Sequence, residues 1–352
     1  MQILVHEHAS GGGLAGRPVP ASLGREGAAM RNALVADLAR MRRHAIVATM
    51  DPRFPLRPRR GVRVVTLRAG TPRVLERLIA SVDAVWLVAP ETDRCLERLA
   101  AQAERLGKEL LGPGAAAIRR ASDKAALPRR LARHGVSHPE TRRLRTGADP
   151  AAAARGLGYP LVVKPARGAG CQGVCLARSE SELRRAVAHA RHVDAEGVLL
   201  LQRIVPGVAA SVSLLADGRR AVPLAVNAQW VRPSRRFTYR GGATPLSHAL
   251  ARRAAEAACR TCRALPGLRG YVGVDVVLAD SEPVVIELNP RLTTAYLGVR
   301  RAVAGNVAAL ALEACGGSLP IPPPVRRRVR FTMAGRVVAT SLVPPSVAVG
   351  RP

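Results

Sequence analysis

The chain has 352 residues, 48% hydrophobic and 23% charged, which is enough apolar material for two or three packed units and excludes disorder over most of its length. No apolar run reaches the roughly 18 residues of a bilayer span, and the opening MQILVHEHASGGG lacks the basic and apolar regions of a secretory signal, so a cytoplasmic protein with no membrane partner is expected. A net charge of +30 raises nucleic acid or an acidic ligand as partner, but aromatics are only 3%, too few for base-stacking platforms, and the basic residues spread along the whole chain, which argues against nucleic acid.

Residues 1–111 alternate short apolar runs with amphipathic stretches. Ile3–His6, Ala45–Met50, Val62–Leu67 and Ala84–Ala89 read as strands, and Arg25–Met41, Pro72–Ser81 and Thr92–Leu106 as helices. This alternation predicts a parallel α/β, Rossmann-like unit. Its Ser10-Gly11-Gly12-Gly13 loop follows the first strand, at the carboxyl edge where open α/β sheets bind ligands. A plain glycine turn is the alternative for that loop.

Leu111-Gly112-Pro113-Gly114 is a punctuated linker. Over 112–197 the pattern predicts a helix Ala115–His134, strands Leu161–Lys164 and Val174–Ala177, and a helix Glu180–His192. Over 198–319 it predicts strands Val198–Gln202, Ser211–Leu215, Val272–Leu278 and Pro283–Leu288, with helices Ser247–Ala264 and Val299–Ala314. Residues 320–352 form a Pro- and Arg-rich tail with a candidate hairpin, Val329–Met333 and Arg336–Thr340. The fold class expected is α/β, turning α+β in the C-terminal part.

The six cysteines make no disulfide framework; Cys259 and Cys262 form a C-x-x-C inside a helical pattern with no second pair, and read as small core residues. Lysine is rare: of 55 basic residues only Lys108, Lys124 and Lys164 are lysine. Arginine is a planar fork and lysine a compact point charge, so a lysine retained in such a chain marks a place where a point charge is needed.

Gly168-Ala169-Gly170-Cys171-Gln172-Gly173 matches G-x-G-x-x-G, but it lies between two strands, after Val162-Val163-Lys164-Pro165, and no helix follows. A dinucleotide fingerprint needs that helix. A glycine turn with a lysine on the incoming strand can instead clamp phosphates through backbone N–H groups. A second constellation is Asp275 in one strand and Glu287 and Asn289 in the next. Glu287 and Asn289 share a face because strand side chains have period two. Paired through a turn at 279–282, these hard oxygen donors would suit Mg²⁺ or Mn²⁺ with phosphate oxygens completing the shell. The alternative is a structural carboxylate–arginine pair.

The ordered set Asp123-Lys124, Gly135-Val-Ser-His-Pro139, Val163-Lys164-Pro165 with its glycine loop, Leu199-Leu-Leu-Gln-Arg-Ile-Val-Pro-Gly207 and Asp275…Glu287-x-Asn289-Pro-Arg291 resembles the ATP-grasp superfamily, over about 112–315. The resemblance implies an ATP-grasp fold behind a Rossmann-like pre-ATP-grasp domain, with ATP and Mg²⁺ (or Mn²⁺) as cofactors. It implies that Lys124 and Lys164 hold phosphates, that Arg167, Gly168, Ala169, Gly170 and Gly173 belong to a flap over them, and that Gln202, Arg203, Ile204 and Val205 form the hinge that reads adenine. Asp275, Glu287 and Asn289 would bind the metal, and Arg291 with Lys164 would serve the phosphoryl transfer. Two positions depart from the family pattern: Ala209 stands where a ribose-binding glutamate is common, and Gly273 where some members carry arginine.

The N-terminal His6-Glu-His-Ala-Ser-Gly-Gly-Gly13, Leu23-Gly-Arg-Glu26-Gly, Pro206–Ser213 and Tyr239-Arg-Gly-Gly242 are similar to the tyramine–glutamate ligase group of methanofuran-type carrier biosynthesis in one-carbon metabolism. That likeness implies an ADP-forming amide ligase working through an acyl phosphate, with small-molecule amine and amino-acid substrates and with a homodimer left open. Ser10, Gly11 and Gly12, and Arg240, Gly241 and Gly242, are then candidates for substrate contact, the latter alternatively a glycine turn. Another ATP-grasp amino-acid ligase is the nearest rival. A basic nucleic-acid-binding protein on an inactive ATP-grasp scaffold is the rival of another class, and it predicts a steep salt slope without ATP turnover.

Overall fold

A computed structural model describes residues 1–70, 72–194, 197–232 and 235–341. The N-terminal unit contains β1 (Gln2–Glu7), α1 (Ala21–Arg40), β2 (Ala45–Met50), β3 (Val62–Thr66), α2 (Pro72–Ala80), β4 (Ala84–Val88), α3 (Cys95–Arg105) and β5 (Glu109–Leu110). Its five strands are parallel in the order β3-β2-β1-β4-β5. Buried on both faces, β1 splits its side chains by period two: Ile3 and Val5 enter the core under α1, and Leu4 the core under α2 and α3.

The expected helix Ala115–His134 is two helices, α4 (Ala115–Ser122) and α5 (Leu127–Arg133). The Asp123 carboxylate accepts from the backbone N–H groups of Ala125 and Ala126 at 3.1 and 3.0 Å, and Pro128 stands in the first turn of α5. A side chain that captures backbone donors and a proline that could not continue the first helix both force the break. The turn between them carries Lys124.

The small sheet is antiparallel, in the order β6-β9-β7-β8, and is packed on α6 (Pro150–Ala154) and α7 (Glu180–Val193). Its strands are β6 (Thr141–Leu144), β7 (Leu161–Pro165), β8 (Cys175–Ala177) and β9 (Leu199–Arg203). The large sheet has the order β14-β13-β10-β11-β12-β15-β16. It comprises β10 (Val208–Asp217), β11 (Ala221–Arg232), β12 (Thr238–Thr244), β13 (Arg269–Leu278), β14 (Pro283–Asn289), β15 (Arg327–Thr332) and β16 (Val337–Ser341). Strands β11 and β12 escape the periodicity reading, and the hairpin β15–β16, expected within a tail, extends the large sheet through β12.

On β10, Leu214 faces a core shared with α8 (Ala251–Arg263), while Leu215 faces the core shared with α1. The expected helix Val299–Ala314 is also broken, into α9 (Tyr296–Ala302) and α10 (Val307–Cys315). Gly305 takes φ +84°, and the Asn306 side-chain Oδ1 accepts from Ala308 N–H at 3.0 Å to cap α10. Cys259 and Cys262 lie on α8, and Cys262 is buried in the core. Among the described residues no helix is long and apolar enough to cross a membrane.

Between α1 and α9 sits a charged seam. Asp37 accepts from Tyr296 Oη at 2.7 Å and pairs with Arg300. On β1, His6 is fully buried with Nδ1 2.8 Å from Thr49 Oγ1. Burial, reinforced by His8 and Arg31, pushes its pKa from 6.5 down to about 3. The unfolded chain takes up a proton near pH 6.5 and the native imidazole does not, so acidification from 6.5 toward 3 destabilises the fold. The loss approaches about 1.4 kcal/mol per pH unit from this side chain alone. Urea unfolding of the parent and of His6→Gln at neutral pH and near pH 5 checks this: the substitution should flatten the pH dependence, and an unchanged slope would contradict the assignment.

Candidate functional site

Antiparallel pairing of β13 with β14 sets Asp275 directly opposite Glu287, and Gly273 opposite Asn289. The strands turn through Ala279–Glu282, closed by Ala279 N–H donating to the Glu282 carbonyl at 3.1 Å. Asp275 accepts from the Asn289 amide at 3.0 Å and from the Gln229 amide on β11 at 2.8 Å. Burial and the neighbouring Glu287 charge push the Asp275 pKa up to about 7, against its hydrogen bonds and Lys124. Burial would raise Glu287 too, but Lys124, Lys164 and Arg291 hold it below its ordinary value.

Lys124 Nζ sits 2.7 Å from Glu287 Oε2 and donates to the Gly168 carbonyl at 2.7 Å. One ammonium therefore ties the carboxylate pair to the glycine-rich flap. Burial would lower the pKa of Lys124, but Glu287, Glu91 and Asp275 together raise it. Lys164, on β7, is only 4% exposed. Burial and the like charge of Lys124 press its pKa down to about 8, although Glu287 opposes them. The four side chains line one cleft of about 350 Å³ between the small and large sheets.

Gly168, Ala169 and Gly170 of the flap, and Gln202, Arg203, Ile204 and Val205 at the end of β9, line the same cleft, as does Ala209. The Gln202 amide is engaged with Thr141 Oγ1 at 2.8 Å, and Arg203 Nε donates to the Leu157 carbonyl, so this edge meets the cleft largely through backbone. Four expected residues do not line it. Asn289 is buried behind Asp275, to which its amide donates. Gly173 packs under Pro165, whose Cγ lies 3.0 Å from where a Cβ would stand. Arg167 lies in the field of Glu97 of the N-terminal unit. Arg291 forms a bidentate pair with Glu91 just after β4, at 2.9 and 3.1 Å, both partners being largely buried.

The candidate substrate residues separate. Ser10 and Gly11 are buried, and the Ser10 carbonyl accepts from Arg31 and from Asp51 N–H, so the loop after β1 is pinned and cannot offer these two residues to a ligand. Gly12 instead lines a second cleft. Gly241 and Gly242 are neither a turn nor a carboxylate cradle. They lie buried within β12, paired with β15, and a Cβ on Gly241 (φ +134°) would stand 2.1 Å from the Phe331 carbonyl. Arg240 is exposed on the same strand, beside a bulge in the β11–β12 pairing.

Gln229 and Glu91 were not legible from the motifs. Gln229 is placed by β11, and Glu91 by the approach of the two units. Glu26 stands in a motif quoted from the sequence but had no role there; on α1 it accepts from Thr294 Oγ1 and is raised in pKa by burial. Gly273 is accounted for: Thr293 fills the space, its Cγ2 2.7 Å from a built Cβ.

The donor set fits a hard divalent cation. Two carboxylates stand abreast, with a carboxamide beside them, and a cation between them would relieve the repulsion that raises Asp275. No group of three or more His, Cys, Asp or Glu is placed to hold a metal among the described residues, so a cation here would draw its remaining oxygens from a ligand. The largely buried Lys124–Glu287 pair has a measurable signature. Lys124→Met should lower unfolding free energy by about 3 kcal/mol through an uncompensated Glu287. Adding Glu287→Gln should restore more than half of the loss in denaturant titrations, and no recovery in the double variant would refute the pairing.

An ATP-grasp domain model matches residues 121–295, and a pre ATP-grasp 3 domain model matches residues 44–118. A tyramine–L-glutamate ligase of Methanocaldococcus fervens is 39% identical over 101 residues, 29% of this chain and 33% of that protein. A D-alanine–D-alanine ligase of Ralstonia pickettii is 28% identical over 198 residues, 53% of this chain and 59% of that protein. The matched stretches thus span about a third and three fifths of these relatives. The crystal structure of an ATP-grasp superfamily protein from Archaeoglobus fulgidus superposes with a TM-score of 0.68 at 28% identity, covering 94% of this chain and 92% of that one. With the two domain models in sequence order and the glycine flap closing on a lysine–carboxylate cleft, the chain belongs to the ATP-grasp superfamily and carries a pre-ATP-grasp domain ahead of its ATP-grasp domain.

Proposed function

We propose that this protein is an ATP-dependent, ADP-forming carboxylate–amine ligase, and that it joins tyramine to L-glutamate. The observation that carries the reading is the convergence of Lys124, Lys164, Asp275 and Glu287 on one cleft beneath the flap. The similarity to tyramine–L-glutamate ligase over 101 residues supports the substrate pair.

ATP would lie between the sheets, its adenine against the Gln202–Val205 edge and its phosphates under the flap. Lys124 and Lys164 would neutralise phosphate oxygens. Asp275, Glu287 and Asn289 would hold Mg²⁺, which supplies charge neutralisation on the phosphates. A substrate carboxylate oxygen attacks the γ-phosphorus, the bond to the bridging oxygen breaks, and ADP leaves. The amine nitrogen then attacks the acyl carbon and gives up a proton to solvent, phosphate departs, and an amide remains. No side chain forms a covalent bond in this sequence; positioning and fixed charge do the work. Arg291 would serve the developing phosphoryl charge from its station beside Glu91.

A coupled ADP-release assay with Mg²⁺, ATP and panels of amines and amino acids tests this. ADP should appear only when both an acid and an amine are present, with tyramine and L-glutamate the best pair. Glu287→Ala and Lys164→Ala should each lower kcat about 100-fold or more. ADP release indifferent to every amine offered would overturn the reading. Product amide from a different acid and amine would keep the chemistry and replace the substrates.

A further inference from the structure

A third cleft, of about 640 Å³, lies on the outer face of α1 and shares no lining residue with the other two. Arg25, Ala29, Asn32, Ala36 and Arg40 fall on one face of that helix at spacings of three and four residues, opposite Leu34 and Leu38, which enter the core. The middle of the face is small. Ala29 and Ala33, with Val337 of β16, pack against Leu297 of α9. At the turn of the β15–β16 hairpin, Gly335 takes φ +87°, and a Cβ there would stand 2.8 Å from Ala29 Cβ. Small residues thus let α1, α9 and the hairpin meet in an apolar floor, beside which the loop after β2 supplies Arg53 and Arg59.

The charge of this cleft is one-sided. Six arginines line it, Arg25, Arg40, Arg53, Arg59, Arg300 and Arg301, and no carboxylate does among the described residues. The cleft beneath the flap, by contrast, has Asp275 and Glu287 in its wall. Two buried carboxylates pair with some of these arginines. Asp37 holds Arg300 at 2.6 and 2.5 Å, with Arg40 3.5 Å away, and Asp51 holds Arg53 at 2.9 and 2.7 Å. Arg53 also donates to the carbonyls of Arg17 and Leu14, so its guanidinium is fixed in the wall. Arg25, Arg59 and Arg301 are exposed and have no carboxylate partner among the described residues. Two carboxylates against six arginines leave an excess of four positive charges. The crowding is felt: the like charge of Arg300, then burial and Arg40, hold the Arg301 pKa below its ordinary value.

The planar guanidinium fork matches phosphate oxygens two at a time. A lone phosphate would meet one or two of these arginines and leave most of the cleft unfilled, whereas several phosphates on one compact molecule answer both the charge and the volume. The aromatic side chain in the wall, Phe54, lays its ring against Gly24, where a Cβ would overlap it, so it offers no platform for a base. A second copy of this chain would bring a like-charged face against this one, which electrostatics opposes.

We propose that this cleft binds a small molecule bearing several phosphate groups, with Arg25, Arg59 and Arg301 as its free donors and Arg53 and Arg300 as its fixed ones. The inference goes beyond the ligase reading and does not depend on it. Because α1 belongs to the N-terminal unit and α9 and the hairpin follow the large-sheet donors, a ligand here touches both units and stabilises their docking by mass action.

Tripolyphosphate, titrated by calorimetry into the full-length protein with a chelator present, is the probe. It should bind about tenfold or more tighter than inorganic phosphate and should raise the thermal midpoint. The double variant Arg59→Gln, Arg301→Gln should weaken it about tenfold or more and remove most of the thermal shift. Arg133→Gln, exposed on α5, and Lys164→Ala, in the cleft beneath the flap, should each leave this affinity within about twofold. Arg59 and Arg301 are exposed, so the substitutions leave the fold intact, which matching ligand-free thermal midpoints verify. Binding lost in Lys164→Ala and kept in the double variant would place the phosphates beneath the flap and overturn the proposal. Equal weakening by Arg133→Gln would reduce the effect to diffuse charge and overturn it as well. So would no binding, or affinity no greater than that for inorganic phosphate. A nucleic-acid duplex that binds and is not displaced by tripolyphosphate, or a dimeric parent that the double variant turns monomeric, would assign the face to another occupant and overturn the small-molecule site.

Discussion

One largely buried ammonium, Lys124, joins the two halves of the cleft. It reaches from the turn between α4 and α5 to Glu287 on the large sheet and to the Gly168 carbonyl on the flap, each at 2.7 Å. Taking such charges out of water costs several kcal/mol per ion, and their mutual attraction returns that only when geometry is good. A packed apolar cluster would hold the two sheets together at least as well. Four charged side chains in one cleft are therefore poor evidence of a device for stability and good evidence of a site whose dipoles and charges are set before a ligand arrives.

Around that cleft the molecule is tied by contacts between units far apart in sequence. Arg291 meets Glu91, Thr294 meets Glu26, and Tyr296 and Arg300 meet Asp37. These three links run along the chain leaving β14, immediately after Glu287 and Asn289. The parallel sheet is thereby fixed relative to the metal-type donors, and its carboxyl edge is held against the flap.

Much of this was legible in the residues. Period-two alternation and its switch to helical spacing locate β1 to β4, β13 and β14 to within a residue or three. The scarcity of lysine singled out Lys124 and Lys164, and both line the cleft. What escaped has physical causes. The α4–α5 break depends on how one aspartate spends its hydrogen bonds, and the α9–α10 break on one left-handed glycine. Strands β11 and β12 mix polar, glycine and apolar residues because Gln229 serves Asp275 and Gly241 admits the Phe331 carbonyl. Glycines that look like a ligand cradle in sequence are, in β12, a close approach of two backbones. Glu91 takes its role from tertiary packing against Arg291, which no local pattern encodes.

On the proposed reading, the Asp275–Glu287 pair and the two lysines form one nucleotide site that depends on a divalent cation. Titration calorimetry of ATP into the intact protein, with Mg²⁺ and with a chelator, tests it most directly. Binding should tighten about tenfold or more with Mg²⁺, a gain that vanishes in Asp275→Asn while Mg²⁺-free binding persists. Equal ATP affinity with and without Mg²⁺ in the parent, or an undiminished Mg²⁺ effect in Asp275→Asn, would contradict it.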